Sequence, residues 1–136
     1  MKNIKILIAD DDESSSQLIS SYIQKFGKEI IFVKTGTDAI EACQNHSDID
    51  LILMDIRMIE IDGLEATRKI REFNNKVIII AQTDYVLTGA KEMAINAGCN
   101  DNISKPIKRE ELIALMLRYF ENKIETKKSE KLEQNN

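Results

Sequence analysis

The sequence predicts an α/β fold in which helices wrap a parallel sheet. Three observations carry this. Continuous apolar runs alternate with segments of helical period, the pattern left by strands buried on both faces. Five such strand–helix units fit 136 residues without long loops. Reactive polar groups recur at one end of the runs: Asp10 and Asp11 after Ile6–Ala9, Asp55 after Leu51–Met54, Thr83 two residues past Val77–Ala81, and Lys105 after a run around Ile103. In open parallel sheets that end is where ligands bind.

The elements follow in order. Ile4 to Ala9 reads as the first strand. Leu18, Ile19, Tyr22, Ile23 and Phe26 make one helical face, with Gly27 as the stop. Glu29 to Lys34 is the second strand, and a helix from about Thr37 to Asn45 turns Ala39, Ile40 and Cys43 inward. Asp50 to Met54 is the third strand. Asp62-Gly63 is a turn and helix start, and Leu64, Thr67 and Ile70 face the next helix inward. Val77 to Ala81 is the fourth strand, and Gly89 to Ala97 a helix stopped by Gly98. Asn102 to Ser104 is a short fifth strand, and Lys108 to about Asn122 the last helix. One domain spans residues 3–122. Lys123 to Asn136 is polar, a frayed helix extension or a disordered tail.

Composition excludes several classes. The net charge of −4 and a pI of about 5.1 leave no basic footprint for nucleic acid. No apolar stretch reaches the length of a membrane span, and Met1 to Lys5 runs straight into a strand rather than a signal peptide. Cys43 and Cys99 read as small core residues of a reducing, cytoplasmic setting, and His46 as a surface residue near a helix end.

These residues resemble the receiver domain of two-component signalling proteins over about Asn3 to Phe120. The motifs are Ile6-Leu7-Ile8-Ala9-Asp10-Asp11-Asp12-Glu13, Leu53-Met54-Asp55-Ile56-Arg57-Met58, Asp62-Gly63-Leu64-Glu65-Ala66, Gly98-Cys99-Asn100-Asp101 and Ser104-Lys105-Pro106-Ile107. Each alone is weak, and their order and spacing together are specific. The wording is most similar to receivers attached to hybrid histidine kinases. The resemblance implies a flavodoxin-like fold of strand order 2-1-3-4-5. It implies that Asp55 takes a phosphoryl group from a phosphohistidine of a histidine kinase or histidine phosphotransfer protein. Asp10 and Asp11 match the pair that holds Mg²⁺, with Asp55 and the backbone carbonyl of Arg57 completing the metal site. Thr83 and Lys105 match the residues that bind phosphoryl oxygens, and a cis Lys105–Pro106 bond is implied. Such a domain is not an enzyme beyond its own phosphorylation and dephosphorylation. The chain reads as a single-domain regulator or as part of a longer hybrid kinase, and the wording favours the second by analogy.

The chemistry also stands on the residues. Clustered carboxylates repel unless a cation joins them, and hard oxygen ligands suit Mg²⁺. A carboxylate is a nucleophile able to form an aspartyl phosphate. Phosphoryl transfer needs alignment and neutralised oxygens more than covalent help. Milder readings exist: Asp12 as a helix cap, Asp55 as a turn residue, Lys105 as a solvated lysine.

Three rival functions fit parts of the pattern. A haloacid-dehalogenase-like phosphatase would use Asp10 as nucleophile, but leaves Asp55 without a role. A flavin carrier would need a loop free of acids after the first strand. A receiver-like binding module that is never phosphorylated stays open. Three positions depart from the family: Ile59 replaces a proline, Asp84 a small residue, and Asn102 an aromatic. Asp84 is expected to crowd the phosphoryl entrance, and Asn102 to hydrogen-bond locally near the surface. Ile113, Leu115, Met116, Leu117, Tyr119 and Phe120 cover more of the last helix than one stripe needs, so this helix is expected to carry a contact, with a second copy of the domain among the candidates.

Overall fold

The computed structural model describes residues 3–84 and 89–120. The polar tail from Lys123 and the helix end at Asn122 lie outside the described residues. The strands are β1 (Ile4–Ala9), β2 (Gly27–Val33), β3 (Leu51–Asp55), β4 (Ile78–Asp84) and β5 (Asp101–Lys105). The helices are α1 (Glu13–Ile23), α2 (Gly36–Asn45), α3 (Gly63–Arg71), α4 (Ala90–Ala97) and α5, helical over 109–120 among the described residues. The strands pair in parallel in the order β2-β1-β3-β4-β5, which is the flavodoxin-like order.

Alternation along the strands divides the core in two. Leu7, Ile52, Met54, Ile79 and Ala81 face α2, α3 and α4 through Ala39, Cys43, Ile70 and Ala94. Ile6, Ile8, Leu53, Ile80 and Ile103 face α1 and α5 through Ile19, Ile23, Leu112 and Met116. The central strands are buried along their length, which is why they read as unbroken apolar runs.

Caps fix where the helices begin. The Asp12 side chain accepts from the Ser14 amide at 3.0 Å, and Thr35 from that of Asp38 at 3.0 Å. Asp62 accepts from the Glu65 amide at 2.9 Å. Gly98 closes α4 at φ +117, a backbone that side-chain-bearing residues rarely adopt.

Several boundaries move from the sequence expectation. Gly27 does not stop a long helix. α1 ends at Ile23, a single 3₁₀ turn covers Gln24–Phe26, and Gly27 opens β2. The buried line of α1 is Ser16, Ile19 and Ile23, so Leu18 falls outside it and is 49% exposed. β4 runs three residues past Ala81, since Gln82, Thr83 and Asp84 pair with Ile103, Ser104 and Lys105. β5 correspondingly starts at Asp101 and ends at Lys105.

Cys43 and Cys99 are free and buried. Burial raises the Cys43 thiol to about 11 against the opposing Arg71 charge, so it is protonated at neutral pH. His46 caps α2 with its ring nitrogen Nδ1 3.1 Å from Lys5 Nζ. On α5, Met116 and Phe120 are buried, while Ile113, Leu115, Leu117 and Tyr119 are partly buried against the same core. Among the described residues no helix is long and apolar enough to cross a membrane.

The end of the sheet where the strands start is tied by one side chain. Arg71, the last residue of α3, donates to the carbonyls of Gly98, Asn74 and Val77 at 2.8, 3.1 and 2.8 Å, and to Asn100 Oδ1 at 2.9 Å. Asn100 Oδ1 also accepts from the Ile79 amide at 2.9 Å.

Candidate phosphoacceptor site

Parallel strands place all their carboxyl ends at one edge, so the ends of β1, β3, β4 and β5 converge. Asp10 follows β1 and is buried, Asp11 follows it and is exposed, and Asp55 closes β3 in a buried position. One carboxylate oxygen from each lies within 4.8 Å of the others. Three anionic oxygens this close repel, and hard carboxylate donors fit Mg²⁺. Asp10 Oδ1 also accepts from the Asp12 amide at 2.9 Å.

Lys105, closing β5, reaches across the sheet. Its ammonium is 3.2 Å from Asp10 Oδ2 and 3.2 Å from Asp55 Oδ2. The following Lys105–Pro106 bond is cis, as the resemblance implied. Burial opposes the charge on Lys105, but the Asp55 and Asp10 carboxylates outweigh it, so the ammonium titrates above its usual range. Burial raises Asp55 from 3.8 to about 6, with Lys105 pulling it down and the nearby Asp10 charge adding to the rise. At neutral pH it is mostly the carboxylate. The Arg57 amide donates to Asp55 Oδ1 at 3.2 Å and fixes that oxygen. Close approach shapes the same place: a side chain at Gly63 would put its Cβ 2.1 Å from the Asp55 carbonyl oxygen.

Thr83, next to last in β4, is buried. Its hydroxyl donates to the Ile103 carbonyl and accepts from Asn102 Nδ2, both at 3.4 Å. Asn102 thus bonds locally as expected, but half-buried and directly to Thr83. All the site residues read from the sequence come together at this edge.

Two contributions were not visible in the sequence. The resemblance implies a role for the Arg57 carbonyl alone, yet its side chain holds Asp84, Nε to Oδ2 at 3.1 Å. Opposite charges placed alike after two apolar runs, Leu51–Met54 and Val77–Ala81, were the available signal. Gln82, just past the apolar run of β4, is buried. Its Nε2 donates to the Leu53 carbonyl at 3.2 Å, and its Oε1 finds no hydrogen-bond partner among the described residues. Ile59 is 69% exposed, and Glu60 beside it takes φ +71.

A sheet of order 2-1-3-4-5 with an acid cluster, a hydroxyl and a lysine at its carboxyl edge defines the class of two-component signalling domains. The chain belongs to the response regulator receiver domain family, whose model matches residues 6–117. It is therefore a receiver domain of a two-component phosphorelay.

Relatives agree. Over 123 residues it is 34% identical to the transcription factor SKN7 of Saccharomyces cerevisiae, covering 90% of this chain and 20% of that protein. Over 125 residues it is 37% identical to hybrid signal transduction histidine kinase L of Dictyostelium discoideum, covering 87% of this chain and 7% of that protein. The chain thus spans a fifth or less of these two proteins' length. Among solved structures it is similar to the receiver domain of the sensor histidine kinase PA1611 of Pseudomonas aeruginosa, which has a magnesium ion coordinated in its active-site cleft. There the identity is 33%, the TM-score 0.76, and the coverage 86% and 97% of the two chains. The receiver domain of Saccharomyces cerevisiae Ssk1, solved with the histidine phosphotransfer protein Ypd1, is 27% identical at a TM-score of 0.75, with 88% of each chain covered.

Proposed function

We propose that Asp55 is the phosphoacceptor of this receiver domain, and that its donor is a phosphohistidine on a histidine kinase or histidine phosphotransfer protein. The observation that carries the reading is the double contact of Lys105 with Asp10 and Asp55. It gives Asp55 an electrophilic neighbour at the site where phosphoryl charge would gather.

In the reaction an Asp55 oxygen attacks phosphorus, and the bond from phosphorus to the imidazole nitrogen breaks with its electron pair left on the imidazole. The Arg57 amide keeps the carboxylate oriented, which is the positioning such a transfer needs. Lys105 offsets charge on the transferred oxygens. The Thr83 hydroxyl, now bonded to Ile103, can turn to donate to one of them. Asp10, Asp11, Asp55 and the Arg57 carbonyl are the groups that would hold Mg²⁺. When bound, the ion supplies positive charge beside the phosphoryl oxygens.

The phosphatase alternative makes Asp10 the nucleophile and leaves unexplained why Lys105 also binds Asp55. The hybrid-kinase relative and the phosphotransfer complex of a similar receiver support a relay partner. A partner of that kind supports the reading of a cytoplasmic signalling module rather than a free-standing enzyme. Self-association would use α5, where Ile113, Leu115, Leu117 and Tyr119 are only partly buried.

The test is intact-mass measurement after incubation with Mg²⁺ and acetyl phosphate. Wild type is expected to gain one phosphoryl group and Asp55→Asn none. Labelling of Asp55→Asn would overturn the assignment, and its persistence there with loss in Asp10→Asn would favour the phosphatase.

A further inference from the structure

The ion pair between Arg57 and Asp84 lies outside the chemistry assigned so far. Arg57 sits two residues past Asp55, in the loop leaving β3. Asp84 sits one residue past Thr83, at the end of β4 and in register with Lys105. Their 3.1 Å contact therefore joins the ends of two adjacent strands at the sheet edge that carries Asp55. The same Arg57 donates its amide to Asp55, so one residue touches the nucleophile through its backbone and Asp84 through its side chain. Asp84 also lines, with Lys105 and Pro106, the hollow that opens toward Ser15 and Leu18 of α1.

We infer that Arg57 and Asp84 form a clasp across the mouth of the site, and that this clasp sets the rates at which the phosphoryl group arrives at and leaves Asp55. The inference rests on the reading of Asp55 as phosphoacceptor. Asp84 is an anion beside the place where a second, larger anion must be seated. In the resting protein Arg57 neutralises it. A phosphoryl group carries roughly two negative charges and three acceptor oxygens. It competes with Asp84 for the planar guanidinium, which suits such oxygens well. Arg57 is therefore shared between two anions, one permanent and one transient.

The two ends of this bond have opposite consequences. Neutralising Asp84 frees Arg57 for the phosphoryl group, which should then arrive faster and be held longer. Neutralising Arg57 leaves Asp84 unopposed, so the group should arrive more slowly and be lost sooner. A pair that served only to brace the loop would give the same sign from either end. Both side chains are substantially exposed, at 64% and 34%, so each effect is expected at about two- to fivefold, and smaller in high salt.

The experiment compares wild type, Asp84→Asn, Arg57→Gln and the double variant. Phosphorylation by acetyl phosphate and loss of the group after donor removal are followed by intact mass. The affinity for beryllofluoride is measured alongside. Independently, the Arg57 Nε–Hε signal is recorded by NMR in the metal-free, unphosphorylated protein. Expected are a faster, longer-lived phosphoryl group in Asp84→Asn, the reverse in Arg57→Gln, and a non-additive double variant. The Nε–Hε signal is expected to shift in Asp84→Asn. Rates that move in one direction in both single variants, or not at all in a wild type that is labelled, overturn the clasp alone. A wild type that takes up no phosphoryl group overturns the reading of Asp55 and the clasp with it.

Discussion

The two ends of the sheet use polar groups in opposite ways. Where the strands start, Arg71 makes four hydrogen bonds to three carbonyls and an asparagine oxygen, and three of them tie the end of α3 to the segments leading into β4 and β5. Where the strands end, two buried carboxylates share one ammonium, an exposed third lies close by, and a buried glutamine oxygen goes unpaired. One end is satisfied and the other is not. Proteins keep such tension where it serves function and compensate elsewhere. The starting end therefore holds the fold, while the finishing end holds a site that gains from an added cation or phosphoryl group.

This contrast predicts substitutions of opposite sign. At the satisfied end, Arg71→Met strands three carbonyls and should cost about 2–4 kcal/mol of unfolding free energy. Urea denaturation measures it, and a loss under about 1 kcal/mol would remove the distinction between the ends.

At the other end, loss of a charge should stabilise the metal-free protein. The fold raises Asp55 from 3.8 to about 6, so its ionisation works against folding. The stability it contributes is fully present below about pH 4 and is lost as the pH rises through about 6. Asp55→Asn cannot ionise. Its advantage over wild type should grow across that window to on the order of 1–3 kcal/mol. Paired denaturation curves at several pH values in chelator test this, and a flat difference would refute it.

Gln82→Leu replaces a buried amide having an unpaired oxygen with an apolar group of similar size. A gain of about 1 kcal/mol is expected, and a loss would mean that the amide is better satisfied than its neighbours indicate. The smallest effect belongs to Asn102→Ala. It removes a 3.4 Å bond to Thr83, worth about 0.5 kcal/mol at most for so long a contact. A cost well above 1 kcal/mol would make that bond a structural member rather than a loose tether.

How far the sequence carried the fold depended on whether each signal was local. Asp10, Asp55 and Lys105 were legible because each ends an apolar run, and parallel pairing then brings run ends together. The caps at Asp12 and Asp62 were legible because a capping side chain acts within three residues of itself. The extension of β4 was hidden because Gln82, Thr83 and Asp84 look like loop, and only pairing with β5 makes them strand. Gly27 was misread because glycine ends helices more often than it opens strands, and here the turn that precedes it is 3₁₀. The Arg57–Asp84 pair joins the loop after β3 to the last residue of β4, 27 residues further along the chain, and no local rule reports such a contact. Leu18 misled for a simpler reason: in a short helix one apolar residue off the buried line looks like part of it.

The lysine that serves both carboxylates lies 95 residues from Asp10 in the chain. β5, which carries it, pairs among the described residues only with β4, at the border of the sheet. As the polypeptide leaves the ribosome, both acids emerge long before their shared counter-charge. A nascent chain halted short of Lys105 holds the two aspartates without the ammonium that joins them, and lacks a group that the proposed transfer uses. Competence to receive a signal would thus be acquired only once β5 has emerged, well after the acids it serves.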